Sequence, residues 1–327
     1  FMNAPEPEAE LEADRSSPNE RARHSVPGHA KSSDTCFWIS MSLLGFFYLI
    51  LIVSMIVVDF GFTSWQDIRE SLADSRVQFS IALSLLSCTI SAILSIWVAI
   101  PTGFVLARMG RAEITRRFGH KTWISKTCVG IRHGIDTLLD IPIVLPPLVV
   151  GISLLVLFQT PLGRLVDHRV GDFFSWLGYP GIRGVTYEIP AIIIAQFTVA
   201  AAFAIRTMRD TFEQISERPE QVAHTLGASR FQSFSRVSLP QAWRGIVAGF
   251  TLAWARSLGE FGPILIFAGT SRLKTEVLST TVYLNFQFGN LRGAVVASLI
   301  LVCIAIAVLV VTRVLTLGDP DTRRRLS

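Results

Sequence analysis

The segment Arg218–Pro240, RPEQVAHTLGASRFQSFSRVSLP, is polar and charged although it lies between two long apolar runs. Pro219 suits the first turn of a helix, and Gly227 can adopt the left-handed conformation that ends one. Ser229 and Gln232 have the spacing of a capping box, which starts a second helix. The segment therefore predicts a hairpin of two short helices joined at Gly227.

The composition around this hairpin is typical of a membrane protein. Half of the 327 residues are hydrophobic, 17% are charged, and the mean hydropathy is +0.47. Six apolar runs could each cross a hydrocarbon core about 30 Å thick, which takes roughly 20 helical residues. They are Phe37–Val58, Phe79–Ala107, Leu138–Phe158, Ile189–Met208, Ala242–Ala268 and Gly293–Leu315. The pattern predicts an all-α integral membrane protein with six spans.

The third and fifth runs contain residues that interrupt helices. These are Pro142, Pro146 and Pro147 in the third run, and Gly259, Gly262 and Pro263 in the fifth. Carbonyl groups freed by a proline inside the bilayer need partners from neighbouring helices. We therefore expect both segments to lie inside a helix bundle.

The basic residues predict the orientation of the chain. Of the 30 Lys and Arg residues, 21 fall in or beside the two tails and the second and fourth loops, and eight fall in the other loops. Because basic residues accumulate on the cytoplasmic side, both termini and the hairpin are predicted to be cytoplasmic. The same bias accounts for the net charge of +5 and the pI of about 9.3 without any nucleic-acid partner.

Three regions follow from these patterns. Residues 1–35 have no apolar period and predict a disordered cytoplasmic tail. Residues 36–316 form the six-span domain, with the hairpin at 218–240, and residues 317–327 form a second cytoplasmic tail. The basic loop 108–132 is expected to be cytoplasmic and partly helical.

The sequence lacks the usual signatures of catalysis and cofactor binding. It has no G-x-x-x-x-G-K-[ST] phosphate loop, no His-Glu metal motif and no G-x-S-x-G elbow. The four cysteines are scattered and share no metal spacing. We therefore expect no catalytic or metal-binding residues and no cofactor on this chain; if the protein pumps, another subunit hydrolyses ATP.

The hairpin resembles the cytoplasmic EAA signature of ABC importer permeases, in which this segment is a coupling helix seated in the ATP-binding subunit. Gly227 and the final Leu-Pro stand at the family spacing, whereas the Glu-Ala-Ala triplet aligns with Gln221–Ala223 and the acid has moved to Glu220. The alternative, an interfacial amphipathic helix, would carry a Lys/Arg-rich polar face that this segment lacks. The resemblance implies contact with the ATPase through Glu220, Gln221, Val222, Ala223, Leu226, Gly227, Ala228 and Pro240.

Two further segments narrow the family. The stretch Asp140–Gly151, DIPIVLPPLVVG, is similar to the third span of molybdate and tungstate permeases. The stretch Ala255–Gly262, ARSLGEFG, is similar to the fifth span of molybdate and sulfate permeases. The chain is thus identified as a member of the oxyanion-importer permeases, which implies a six-helix type I permease fold.

Charged and polar residues within the spans are candidates for the translocation pathway. Arg256 and Glu260 are four residues apart and share a helix face, and charges in a span usually face a cavity. They could form a gate or a packing ion pair, or Arg256 could instead extend to the cytoplasmic interface. Ser153, Ser257 and the backbone around Gly151 and Gly259 could line a polar route, although serines in spans also bond helix to helix.

The resemblance also implies the partners. They are two copies of an ABC ATP-binding subunit, an extracytoplasmic oxyanion-binding protein, and a second permease copy in a homodimer within the lipid bilayer. Molybdate or tungstate is the first expected substrate, and sulfate or thiosulfate is the alternative. A secondary anion transporter could use broken helices but has no use for the hairpin. A membrane-embedded enzyme would need a nucleophile or metal cluster, which the sequence lacks.

Overall fold

The computed structural model describes residues 30–108, 123–179 and 181–317, and describes side chains within 37–108, 134–179 and 181–314. All regular structure in these ranges is helical. The elements are α1 (Ala30–Phe62), α2 (Trp65–Ala73), α3 (Ser75–Arg108), α4 (Trp123–Val144), α5 (Pro147–Gln159), α6 (Pro161–Trp176), α7 (Ile189–Gln214), α8 (Arg218–Thr225), α9 (Arg230–Ser233), a π-helix (Phe234–Ser238), α10 (Leu239–Gln241), α11 (Trp243–Leu258), α12 (Gly262–Phe267), α13 (Leu278–Gln287) and α14 (Leu291–Leu317).

The predicted tails are only partly covered by this description. Residues 1–29 of the predicted N-terminal tail and residues 318–327 of the C-terminal tail lie outside the described residues, as do residues 109–122 of the basic loop. Residues 30–35, predicted to be part of a disordered tail, instead form the first turns of α1. Residues 123–132 are helical, as expected for part of the basic loop.

The chain divides into two units, Phe1–Val58 and Asp59–Ser327. The first consists of most of α1, whose stretch Phe37–Phe62 has a mean hydropathy of 2.6 and no buried residue. The second contains all the other helices. Its core lies where α3, α7 and α11 pack together around small side chains such as Ala92, Ala204 and Ala253.

Close packing in this core depends on small residues. A Cβ atom on Gly103 of α3 would lie 2.8 Å from the backbone nitrogen of Arg209 on α7. Five serines on α3 are buried, and one of them, Ser91, donates to the carbonyl of Ile193 at 2.8 Å. Small and hydroxyl side chains let helix backbones approach and hydrogen-bond across the contact. These serines serve packing.

Four of the six predicted spans are single long apolar helices: α1, α3, α7 and α14. The third is a broken pair, in which Gly134–Val144 and Pro147–Gln159 meet at 109°. Two successive prolines explain the break, because a residue before proline is driven out of the helical region. Pro146 accordingly has a ψ of 134°.

By length and composition, the described residues hold four spanning helices, or five if the bent pair is one span, so the fifth predicted span is not found as one. α11 has 16 residues and ends at Leu258, and the six-residue α12 starts at Gly262. The prediction that both broken segments lie inside a bundle holds for the fifth, where α12 buries Pro263, Ile264 and Phe267. In the third, α5 buries only one face, and much of its opposite face is exposed in the single chain.

Candidate functional site

The hairpin has the predicted local structure at its turn. Gly227 adopts a φ of +88°, and the N–H of Ala228 donates to the Ala223 carbonyl at 3.0 Å. These features close α8 in the way typical of a left-handed helix end. The Ser229 N–H then donates to Gln232 Oε1 at 2.9 Å, and the Gln232 N–H donates to Ser229 Oγ at 3.3 Å. This capping box starts the second arm.

The second arm is not one regular α-helix. The four residues of α9 continue into a five-residue π-helix, Phe234–Ser238, and then into α10. Phe231 and Phe234 are only three residues apart, yet Phe231 is 76% exposed whereas Phe234 packs inward. The hairpin therefore has an inner side attached to the bundle and an outer side without cover.

A polar network holds the inner side of the hairpin. Glu220 forms an ion pair with Arg108, the last residue of α3. Its Oε1 also accepts a hydrogen bond from Ser238 Oγ at 2.6 Å, and its carbonyl accepts one from Ser233 Oγ at 3.5 Å. Both serines are buried. One carboxylate thus joins α3 to both arms of the hairpin.

Arg108 makes further contacts at the same point. Its Nη1 donates to the carbonyls of Phe212 and Ile215 at 3.4 Å each, at the end of α7. The same nitrogen lies 3.7 Å from a carboxylate oxygen of Glu217. The guanidinium carbon also stands 5.4 Å from the centre of the Phe104 ring. Arg108 therefore contacts α3, the end of α7 and the start of the hairpin together.

An aromatic cluster completes the inner attachment. The ring centre of Phe234 lies 4.7 Å from that of Phe104 on α3 and 6.3 Å from that of Phe212 on α7. Phe104 and Phe212 meet edge to face at 5.3 Å. Tilted and edge-to-face pairs at these distances are favourable. The π-helix places Phe234 on this inner side.

The outer side of the hairpin presents Val222, Leu226 and Phe231, here called the exposed apolar set. Their exposed fractions are 58%, 83% and 76%. Val222 on α8 and Leu226, the residue that caps its C-terminus, are four residues apart and lie on the same side of the hairpin. Gln221 is also exposed. An apolar set this exposed on an otherwise polar hairpin is typical of a contact surface.

The other predicted coupling residues take different positions. Ala223 and Ala228 are half-buried in the turn, and Pro240 is exposed. Pro240 lines a groove of about 1560 Å³ between the end of α7 and the start of α11. Glu220, expected as a possible acid for the partner, points inward with 14% of its side chain exposed. It therefore does not stand in for the missing acid at Gln221 on the outer side.

Among the predicted pathway residues, Gly151 is a packing position. A Cβ there would lie 2.9 Å from Pro263 Cα and 3.0 Å from Ile266 Cβ. Reciprocally, a Cβ on Gly262 would lie 2.9 Å from Pro147 Cβ. The two broken segments therefore meet backbone to backbone, where only glycine fits.

Arg256 and Glu260 form the predicted ion pair, with Arg256 Nη2 and Glu260 Oε1 at 3.0 Å. The exposed fractions of their side chains are 36% and 1%. The Arg256 guanidinium also stands 5.5 Å from the centre of the Phe203 ring. The structure thus pairs Arg256 with a buried carboxylate at the break after α11.

Ser257 and Ser153 differ in their surroundings. Ser257 is fully buried, and its carbonyl accepts a hydrogen bond from Gln196 Nε2 at 3.2 Å. The Ser257 Oγ and Gln196 Oε1 atoms have no hydrogen-bond partner in the described part of the chain. Ser153 is exposed on α5. The structure thus brings Arg256, Ser257 and Glu260 together at the α11 break, while Ser153 lies on another helix.

The sequence interpretation missed Arg108, Ser233 and Ser238. Arg108 was counted only as one of the basic residues that set the orientation, and its partner lies 112 residues away. Its place at the last turn of a span was the available signal. Within the described residues, no group of three or more His, Cys, Asp or Glu side chains could hold a metal ion.

Comparisons with known proteins identify the family. Residues 131–324 match the model of the family described as binding-protein-dependent transport system inner membrane component. The chain is 33% identical over 272 residues to the molybdate/tungstate transport system permease protein WtpB of Pyrococcus abyssi, covering 83% of this chain and 92% of that protein. It is 31% identical over 254 residues to the sulfate transport system permease protein CysT of Escherichia coli K12, covering 77% and 82%.

A solved structure supports the same fold. A chain of the bacterial alginate ABC transporter, crystallised in complex with an alginate pentasaccharide-bound periplasmic protein, superposes with a TM-score of 0.59. The match covers 89% of this chain and 97% of that chain at 19% identity. With the all-helical architecture and the EAA-like hairpin, these matches show that the chain belongs to the inner membrane components of binding-protein-dependent transport systems, the ABC importer permeases of type I fold.

Proposed function

We propose that this chain is the permease subunit of an ATP-driven importer for molybdate or tungstate, with sulfate or thiosulfate as the alternative substrate. The substrate class is supported by the names of its relatives, which are permeases for sulfate and for molybdate/tungstate. The DIPIVLPPLVVG and ARSLGEFG segments favour the molybdate group as the first choice. The exposed apolar set on the hairpin carries the proposal that a separate subunit supplies the energy.

The outer side of the hairpin is the proposed contact surface for the ATP-binding subunit. Leu226 is 83% exposed at the C-terminal cap of α8, a helix held in place by its turn and its inner contacts. An ATP-binding subunit with an apolar cleft would bury this side chain together with Val222 and Phe231. ATP is then bound and hydrolysed by that partner, and this chain needs no cofactor of its own.

The assembly proposed around this chain is symmetric. Two permease copies form one pathway, two ATP-binding subunits contact the two hairpins, and an extracytoplasmic binding protein delivers the oxyanion. The excess of basic residues in the hairpin loop and the tails supports cytoplasmic termini and a cytoplasmic hairpin. Closure of the two ATPases would draw the hairpins together and open the bundle outward, which is alternating access between two packings.

The broken segments are the proposed moving parts of the pathway. α5 and α12 meet backbone to backbone at Gly151 and Pro263, so a shift of one must displace the other. The Arg256–Glu260 pair lies just before α12, at the break after α11. In this proposal the ion pair holds the break closed. Because Glu260 offsets the charge of Arg256, the route would bind an anion only weakly, and weak binding allows release.

Uptake by reconstituted proteoliposomes tests this proposal. The chain is reconstituted with its ATP-binding subunit and its binding protein, and uptake of labelled molybdate and labelled sulfate is compared. We expect molybdate uptake that requires ATP and both partners. Sulfate uptake that excess molybdate does not reduce would transfer the assignment to the sulfate group, and uptake by the chain alone without ATP would indicate a secondary transporter.

A further inference from the structure

The helix α8, which carries Val222 and ends just before Leu226, is not held by hydrophobic burial. None of the eight residues of α8 is buried. An isolated helix of this length is unstable in water, because helices shorter than about 12–15 residues are marginal on their own. Something other than burial must therefore fix α8 on the bundle.

The polar network at Arg108 provides that attachment. Within the described chain, Glu220 is the residue of α8 that forms an ion pair with the bundle, and its partner is Arg108. The Arg108 side chain is 17% exposed and that of Glu220 is 14% exposed, so the pair is largely shielded from solvent. Shielded, charge-assisted hydrogen bonds are stronger than those in water.

The same arginine also fixes the end of α7. It donates to two carbonyls there, Phe212 and Ile215, which have no partner further along the helix. α3 and α7 are the two long helices at the centre of the core. A displacement of α8 therefore reaches both helices through the guanidinium group of Arg108, while the second arm contacts the same helices through Phe234.

We infer that Arg108 is the joint that transmits movement of the hairpin to α3 and α7, and that Glu220 is its matching contact on the hairpin. This rests on the proposed function, since transmission presumes an ATPase acting on the hairpin. Arg108 acts here as a positioning residue that touches neither substrate nor nucleotide. Without Arg108, the ATP-binding subunit would still bind the exposed apolar set, but its movement would displace α8 without moving α3 and α7 to the same extent.

The first experiment measures coupling in the complete complex. The variant Arg108→Gln should assemble with the ATP-binding subunit and hydrolyse ATP, yet move about tenfold less substrate per ATP, as a loss of about 1.4 kcal/mol of coupling free energy would give. Arg108→Lys should recover part of the loss, because it keeps the charge that faces Glu220. The exchange Arg108→Glu with Glu220→Arg should recover more than either single change.

Arg209→Gln is the matched control. Arg209 pairs with Asp136 at 3.2 Å between α7 and α4, and the two side chains are 21% and 18% exposed. This variant loses an ion pair of similar burial that does not touch the hairpin, so its substrate-to-ATP ratio should stay at the wild-type value. A wild-type ratio in Arg108→Gln, or an equal loss in Arg209→Gln, would overturn the inference.

A second experiment needs no partner protein. In a cysteine-free background, spin labels at two exposed positions, Thr225 on α8 and Leu94 on α3, report the distance between hairpin and bundle in nanodiscs. We expect a narrow distribution in the wild type and in Arg209→Gln, and a broad one in Arg108→Gln. Distance distributions of equal width in the wild type and both variants would refute the role of Arg108 as the joint. Failure of ATP-driven uptake by the wild-type complex would instead refute the proposed function, while the distances still decide the joint.

Discussion

Truncating Leu226 to alanine should weaken binding of the ATP-binding subunit without affecting the fold. Leu226 is 83% exposed, so the single chain gains little from its side chain. Each buried CH₂ contributes about 0.8 kcal/mol, so losing three carbons that become fully covered costs about 2 kcal/mol after allowing for the exposed fraction. A loss of that size raises Kd about 30-fold.

Titration of the labelled ATP-binding subunit onto the permease in nanodiscs measures this change. Leu162→Ala is the matched control, because Leu162 on α6 is a leucine of similar exposure, 76%, far along the chain from the hairpin. The control should bind with the wild-type Kd, and both variants should unfold at the wild-type temperature. An unchanged Kd for Leu226→Ala, or an equal loss for Leu162→Ala, would refute docking through the exposed apolar set.

Three other substitutions test the packing, the ion pair and the turn. Gly151→Ala should lower the free energy of unfolding by about 1–3 kcal/mol through overpacking against α12. Gly134→Ala is the control, because no atom lies within 4 Å of the added Cβ, and it should leave the unfolding temperature unchanged or higher. Arg256→Gln should lower the free energy of unfolding by about 3 kcal/mol because it leaves a buried carboxylate without its partner. Glu260→Gln should lower it less because Arg256 is 36% exposed, and the double variant should recover most of the stability lost in Arg256→Gln. Equal effects of the two single variants in thermal unfolding would contradict this. Gly227→Val forces a β-branched residue to a φ of +88°, so it should abolish co-purification of the ATPase while membrane insertion stays intact. Gly227→Asn should retain co-purification. Identical behaviour of the two variants would argue against a strained turn.

Local features of the hairpin were predictable because they depend on neighbouring residues. The left-handed turn at Gly227 and the capping box of Ser229 with Gln232 both involve residues within a few positions of each other. The π-helix was not predictable, because it is set by the packing of Phe234 onto distant aromatic rings. The inward direction of Glu220 likewise depends on Arg108, 112 residues away.

The spans show the same division between local and distant causes. Hydropathy located α3, α7 and α14 within a few residues, since length and composition alone decide whether a helix can cross the bilayer. Prolines predicted an interruption in the third run, but not the 109° angle between α4 and α5. That angle and the contact of Gly151 with Pro263 depend on how the two broken segments pack, which a single sequence does not specify.

The most direct test of the account is uptake of labelled molybdate by proteoliposomes that contain this chain, the ATP-binding subunit and the binding protein. The account predicts uptake that requires ATP and all three proteins, and that is lost when the hairpin carries Gly227→Val. Uptake that persists in that variant, or that proceeds without the ATP-binding subunit, would contradict the claim that the hairpin couples ATP hydrolysis to transport.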